Sequence, residues 1–293
     1  MNIKYSRMDR VVLTINNILI CLAVLIVVIP LIYVVIASFM NPNVLLTQGL
    51  SFKVSDWNVE GYKLILSNPA MVRGFVNAVF YSVSFAVITV TVSVCAGYAM
   101  SVDGLVGRNL FMTLFVITMF FGGGLIPTYL LVKNLGMLDT VWAILIPGAV
   151  NVWDIILART FFKGVPNELK EAANVDGASE WTIFFRIVLP LSKPIIFVIA
   201  LYAFVGQWNS YFDAMIYLEN PNLHPLQLVL RSILIQNQAA SGMIGDQLAM
   251  AELKRLSEMI KYSSIVISSL PLLVMYPFFQ KYFEKGVMVG SLK

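Results

Sequence analysis

The sequence predicts an all-α, polytopic membrane protein, a helical bundle of about six transmembrane helices. Three observations lead there. The chain has 293 residues, of which 59% are hydrophobic and only 12% charged, whereas soluble domains run at about 45–50% apolar and about 25% charged. Its mean hydropathy is +0.82. A water-soluble core of this size would be wrapped in far more charge, so the surplus apolar surface must face lipid. The third observation is segmentation: apolar stretches of about 20 residues, the length a span requires, recur along the chain.

The stretches fall at 12–39, 75–100, 110–132, 141–162, 194–217 and 263–283. The first follows Lys4, Arg7 and Arg10, as a signal peptide would. It is too long for a signal-peptide core and has no small-residue cleavage site before Asn41, so it reads as a retained helix. With the N-terminus inside, the inside segments collect most of the Lys and Arg, among them Arg159, Lys163, Lys170 and Arg186. That bias places both termini on the cytoplasmic side of the cell membrane. Residues 1–293 then form a single transmembrane domain, with extracellular loops at 41–73 and 218–262 and a cytoplasmic loop at 163–193. The first outer loop should hold a short amphipathic helix with Trp57, Tyr62, Leu64 and Leu66 as its apolar members, and the second should become helical from Leu226.

Composition also excludes function classes. A net charge of +4 and a pI of about 9.0 are ordinary for a protein with basic inner loops, and no basic run or nucleic-acid motif is present. His224 is the only histidine, and Cys21 and Cys95 lie in apolar stretches without metal-ligand spacing. A histidine-based metal site or a nucleophilic triad is therefore not expected. No Gly-rich phosphate loop ending in Gly-Lys-Ser/Thr occurs, so any nucleotide must be held by a partner. An ion-driven transporter would be expected to show inverted repeats as well as intramembrane acids. Asp154 and Asp213 are such acids, but no repeat is visible.

The inner loop is the most informative segment. Asn167 can cap a short helix with Glu168 in its first turn. Asp176-Gly177 ends it with a turn. Ser179 can cap a second helix, in which Trp181, Phe184, Phe185 and Val188 form one apolar face. Pro190 and Pro194 then stop that helix and start the next span. The result is a helix-turn-helix elbow at the membrane surface. Its first helix is small and acidic around Ala172 and Ala173, bracketed by Glu171 and Asp176. Small side chains permit close backbone approach, so this helix suits docking in another protein's groove, and an ordinary amphipathic connector fits equally well.

Glu171-Ala172-Ala173, Asp176-Gly177-Ala178, Ile187 and Leu189-Pro190, with Pro194 beyond, resemble the EAA loop of ABC importer permeases. Gly177 and Ile187 sit at the separations that motif requires. The resemblance implies a type I ABC importer permease fold and a loop that sits in a cleft of an ATP-hydrolysing subunit. The tail from Gln280 to Ser291, with Tyr282, Lys285 and Gly286, is similar to that of maltose-type sugar permeases, where it reaches toward the ATPases. Tyr217 to Pro221 and Trp208-Asn209 with Tyr211-Phe212 are similar to the same sugar group. Phe121 to Tyr129 resembles the branch of lipoprotein and complex-polysaccharide permeases of Gram-positive bacteria. The resemblance thus implies a non-enzymatic permease for a sugar or oligosaccharide, the alternative being an importer of another solute such as an amino acid or peptide. Its partners would be a second homologous permease in a heterodimer, two ATPase subunits carrying ATP and Mg, and an extracellular solute-binding protein, a lipoprotein in such bacteria. No cofactor would be bound by this chain.

Polar residues inside spans are costly and often line a path. Asn151 and Asp154 lie in the fourth span, and Gln207, Trp208, Asn209, Tyr211 and Asp213 in the fifth. Amides beside aromatic planes suit sugars, which have hydroxyl edges and apolar faces. The same groups could instead bond across helices and hold the bundle together.

Overall fold

The structure, a computed structural model, describes residues 6–243 and 247–290, with side chains described within 6–235 and 255–280. Among the described residues the only β-pairing is a single bridge between Met40 and Trp57, and the rest is helix, turn and loop.

Helix α1 (Arg7–Ser38) opens on a capping box. Ser6 Oγ accepts from the Asp9 N–H at 3.1 Å, and the Asp9 carboxylate accepts from the Ser6 N–H at 2.9 Å. Two amides that a helix start leaves unpaired are thereby satisfied. Every side chain from Ser6 to Tyr33 is exposed. At 1.5 Å per residue the 32 residues extend for about 48 Å, ample for a hydrocarbon core of about 30 Å.

The chain divides into two compact units, Met1–Asn68 with Ile233–Leu270, and Pro69–Ser232 with Pro271–Lys293. In the first, Asn41 caps α2 (Pro42–Gln48), and α3 (Glu60–Ser67) follows a single turn at Val54–Asp56. Ala37, Met40 and Leu45 make a small core with Tyr262 at its edge. Phe39 stacks on Trp57 at 6.2 Å and meets Tyr62 at 5.0 Å. The predicted amphipathic helix is therefore present as α3, but Trp57 precedes it, held by the bridge to Met40. The Ser263 hydroxyl donates to the Ser38 carbonyl at 3.3 Å. Gly61 faces Met259 and Ser263 so closely that a Cβ there would collide with Ser263 Oγ.

The second unit is built around α4 (Pro69–Ser101), which starts six residues before the predicted span at Phe75. It continues through α5 (Arg108–Phe120), α6 (Leu125–Asn134), α7 (Trp142–Leu145), α8 (Val152–Lys163), α9 (Asn167–Val175) and α10 (Glu180–Leu191). Then come α11 (Lys193–Asn209), α12 (Phe212–Tyr217) and α13 (Leu226–Met243), the last running on past this unit. Helix α14 (Gln247–Gly290) also crosses from one unit to the other. Helix α4 packs on α8 and α11 along small residues. At Gly97 a Cβ would sit 2.6 Å from Ala158 Cβ and 3.0 Å from the Arg159 backbone nitrogen. Around this crossing Val94, Ala158, Phe162, Ile183, Phe184, Val188 and Ile199 form a core, and a second core gathers Tyr81, Val132, Ile144, Tyr217 and Leu228. Trp208 is buried at 1% exposure, edge-on to Phe75 at 5.6 Å and stacked on Phe204 at 6.1 Å. Trp208→Ala should lower the unfolding temperature of the purified protein by several degrees, since emptying a buried aromatic site costs about 3–5 kcal/mol.

By length and composition α1, α4 and the stretch Arg255–Gln280 of α14 can each cross a membrane unbroken. The middle predicted spans differ from straight helices. Helices α5 and α6 meet at 114° across Phe121 to Gly124, where Gly124 has φ +83°. The segment at 141–162 is broken after Leu145, and its longer piece, α8, has 12 residues. Helices α10 and α11 meet at 77°, and α11 ends at Asn209 before α12 resumes. Glycine or proline accompanies the first two breaks, at Gly122 to Gly124 and Pro147-Gly148. Freed backbone groups of this kind are tolerated at membrane depth when they line a cavity or are buried in protein.

Candidate functional site

The inner loop folds as an elbow. Helix α9 begins with Pro166 in the cap position and no side-chain cap. Asn167 is the first helical residue rather than the cap, a boundary one residue earlier than its capping preference suggests. The C-terminal end of α9 is a Schellman motif. The Ala178 N–H donates to the Ala173 carbonyl at 2.9 Å and the Gly177 N–H to the Asn174 carbonyl at 3.0 Å. Gly177 has φ +77°, the left-handed conformation this closure needs. Ser179 Oγ accepts from the Thr182 N–H at 3.3 Å and caps α10. The chain therefore reverses over Asp176 to Ser179 with the carbonyls of Ala172, Ala173 and Asn174 and the Thr182 N–H paired.

Helix α9 buries no residue. Glu171, Ala172, Asp176 and Gly177 are exposed, while Ala173 and Ala178 are half-buried against the α4–α8 core. Leu169 and Val175 are apolar yet exposed, Val175 at 88%. Helix α10 does not present one aromatic face. Phe184 and Val188 turn into the core, whereas Trp181 and Phe185 stack on each other at 5.9 Å and stay exposed. The two i, i+4 pairs lie on neighbouring stripes, and a π turn at Phe184–Val188 widens the helix between them. Ile187 and Leu189 are half-buried and Pro190 is exposed.

The elbow is tied to the end of α4. The Tyr98 hydroxyl donates to the Glu180 carboxylate at 3.0 Å, and the Tyr98 ring lies 4.7 Å from Phe184. Arg159 Nε donates to the Met100 carbonyl at 3.1 Å. In the neighbouring α4–α5 turn the Arg108 guanidinium, 2.8 Å from Asp103, holds that carboxyl below the usual carboxylate range. A cleft of about 380 Å³ opens between this turn and α9, lined by Asp103, Lys163, Lys170, Glu171, Asn174 and Glu180. Tyr98 and Arg159 carry no motif of their own, so only the packing reveals that they fix the elbow's seat.

The five residues proposed for a substrate path separate. A cavity of about 480 Å³ among α4, α8, α11 and α12 is lined by Asn151 and Asp213, together with Thr89, Asp154, Tyr202 and Gln207. Trp208 is on the opposite, buried side of α11. The Asn209 amide donates back to the Val205 carbonyl at 2.8 Å, and Tyr211 lies under Arg231 at 4.4 Å. Asn151 Oδ1 caps α8 by accepting from the Trp153 N–H at 2.9 Å. The α14 backbone is helical as far as Gly290, which includes Gly286, while the side chains of Tyr282 and Lys285 lie outside the described residues.

Apolar helices broken around a polar cavity, with a small-residue elbow at one end, define a membrane transport subunit with a docking loop. The chain belongs to the family described as binding-protein-dependent transport system inner membrane component, which matches residues 104–289. It is a transporter permease, not an enzyme, of a kind that works with a binding protein and an ATPase. It is 37% identical over 268 residues to Protein LplC of Bacillus subtilis, covering 92% of this chain and 90% of that protein. It is 38% identical over 270 residues to the polygalacturonan/rhamnogalacturonan transport system permease protein YtcP of the same organism, covering 92% and 93%. The fold matches that of a chain in the crystal structure of a bacterial ABC transporter involved in the import of the acidic polysaccharide alginate. The TM-score there is 0.83 at 32% identity, over 96% of this chain and 100% of that one.

Proposed function

We propose that this chain forms half of the pore of an ATP-driven importer for a sugar or oligosaccharide. The elbow carries the reading: an exposed helix with alanine at its centre, closed by a left-handed glycine and seated on the α4–α8 core. Such a helix can enter a groove on an ATPase and pass its movement to the bundle as a rigid body. Glu171, Ala172, Ala173, Asp176, Gly177 and Ala178 make the contact, while Ile187, Leu189 and Pro190 fix the elbow to the span that follows. The α14 tail with Tyr282, Lys285 and Gly286 reaches toward the same ATPases, and both termini are cytoplasmic. A second homologous permease completes the pore. Two ATPase subunits hold ATP and Mg, and an extracellular binding protein, a lipoprotein of a Gram-positive cell, delivers the cargo. The sugar-transport names of the relatives and the amide, hydroxyl and aromatic lining of the cavity support this cargo class.

The test is ATPase activity of the complete complex in proteoliposomes, with its cognate binding protein and a panel of oligosaccharides. At least one sugar should stimulate hydrolysis; a silent panel contradicts the cargo assignment. Glu171→Lys should leave the chain in the membrane but reduce sugar-stimulated hydrolysis at least tenfold, because it reverses the charge on the docking helix. Normal uptake in that variant contradicts the coupling role.

A further inference from the structure

The 480 Å³ cavity carries acid that no described residue of this chain balances. Asp154 and Asp213 both line it, and no Lys, Arg or His does so among the described residues. Asp154 is 4% exposed and has no ion-pair partner among the described residues. Its place in the first turn of α8, after the Asn151 cap, explains how a carboxylate is held there without a cation. Arg231, beyond α12 in the chain, is engaged on the Tyr211 ring instead. A second observation points to a ligand. Thr89 lines the same cavity at 1% exposure, and among the described residues its hydroxyl has no hydrogen-bond partner. A buried hydroxyl left unpaired in a folded protein calls for a group that completes it.

We propose that this cavity favours neutral or amino-substituted saccharides over uronate-bearing ones, with Asp213 as the charge filter and Asp154 and Thr89 as hydrogen-bonding wall. The proposal rests on the sugar-import reading above. Carboxylates accept hydrogen bonds from sugar hydroxyls, pair with an ammonium group and repel another carboxylate. Tyr202 and Trp153 add exposed aromatic surface for the apolar faces of a pyranose. The cargo would then differ from the acidic polymers named for the alginate importer and for YtcP.

The test uses the assembled complex in lipid nanodiscs. Cys21 and Cys95 are replaced by serine, and the cavity-lining Ser210 by cysteine. Modification rates by a cationic and an anionic methanethiosulfonate of similar size are each divided by the rate with free cysteine. The cationic reagent should be favoured about tenfold or more, within the range that charged clefts give for association rates. Asp213→Asn should bring that preference down toward the free-thiol value. A preference at or below the free-thiol value, as a basic residue contributed by the second permease would produce, overturns the proposal. So does failure of both reagents to react. Size-matched neutral, amino and uronate oligosaccharides are then compared in the ATPase assay with the cognate binding protein. Equal stimulation by the uronate sinks the filter and leaves the sugar reading standing. Stimulation by none of the three sinks the sugar reading and this proposal with it.

Discussion

Gly177→Val should abolish uptake while the protein still inserts and folds. Gly177 sits at φ +77°, and among the described residues nothing lies within 4 Å of the point a Cβ would occupy, so valine meets no steric obstacle from them. The penalty is in the backbone: left-handed geometry costs an ordinary L-residue about 1–2 kcal/mol, and a β-branched one more. The cheapest escape is to leave that conformation, which breaks the bonds from Gly177 and Ala178 back to Asn174 and Ala173. The elbow then points elsewhere, although the core behind it is untouched. Co-purification of the ATPase subunits and uptake into proteoliposomes should both fall to background. Gly177→Asn should retain a substantial part of both, because asparagine tolerates this region better. Equal activity of the valine and asparagine variants contradicts the argument.

Gly97→Leu should have the largest effect on stability. A Cβ at Gly97 would lie 2.6 Å from Ala158 Cβ, 3.0 Å from the Arg159 nitrogen and 3.1 Å from the Ile155 oxygen. Two of those neighbours are backbone, which cannot swing aside as a side chain can. Helices α4 and α8 must separate, and the core holding Phe162, Ile183 and Val188 opens with them. Overpacking typically costs about 1–3 kcal/mol, and four added heavy atoms at a helix crossing belong at the top of that range. The purified variant should melt well below the parent in detergent, or fail to accumulate. Gly97→Ala should be milder and should be partly rescued by Ala158→Gly, which removes the shortest contact and leaves the two backbone ones. Absence of any rescue would show that the two positions do not meet.

Much of this was legible in the sequence because it is local. A turn signal at Asp176-Gly177 and a cap at Ser179 depend on neighbours within a few residues, and both form as read. Cap choice between Pro166 and Asn167 is a one-residue matter that periodicity does not resolve. The split of the α10 aromatics was not read, since helical spacing groups Trp181, Phe184, Phe185 and Val188 on one side and only the packing shows which of the two neighbouring stripes turns inward. Nor was the size of the bends. Gly122, Gly123 and Gly124 permit an unwound stretch, but only the surrounding structure sets the 114° between α5 and α6. The cavity shows the same divide. Asn151, Asp154, Gln207 and Asp213 stand out as polar residues in apolar runs. Thr89 does not, and Trp208 looked like a lining residue although helical rotation sets it away from Gly206, Gln207 and Ser210.

The claim that the elbow is the point of force transmission is tested most directly by crosslinking. Ala172→Cys, in a chain with Cys21 and Cys95 replaced by serine, carries a photoactivatable maleimide in the assembled, transport-competent complex. The account predicts an adduct with the ATPase subunit whose yield changes between ATP-bound and nucleotide-free states. Adducts confined to lipid or to the second permease, in a complex that still transports, would contradict it.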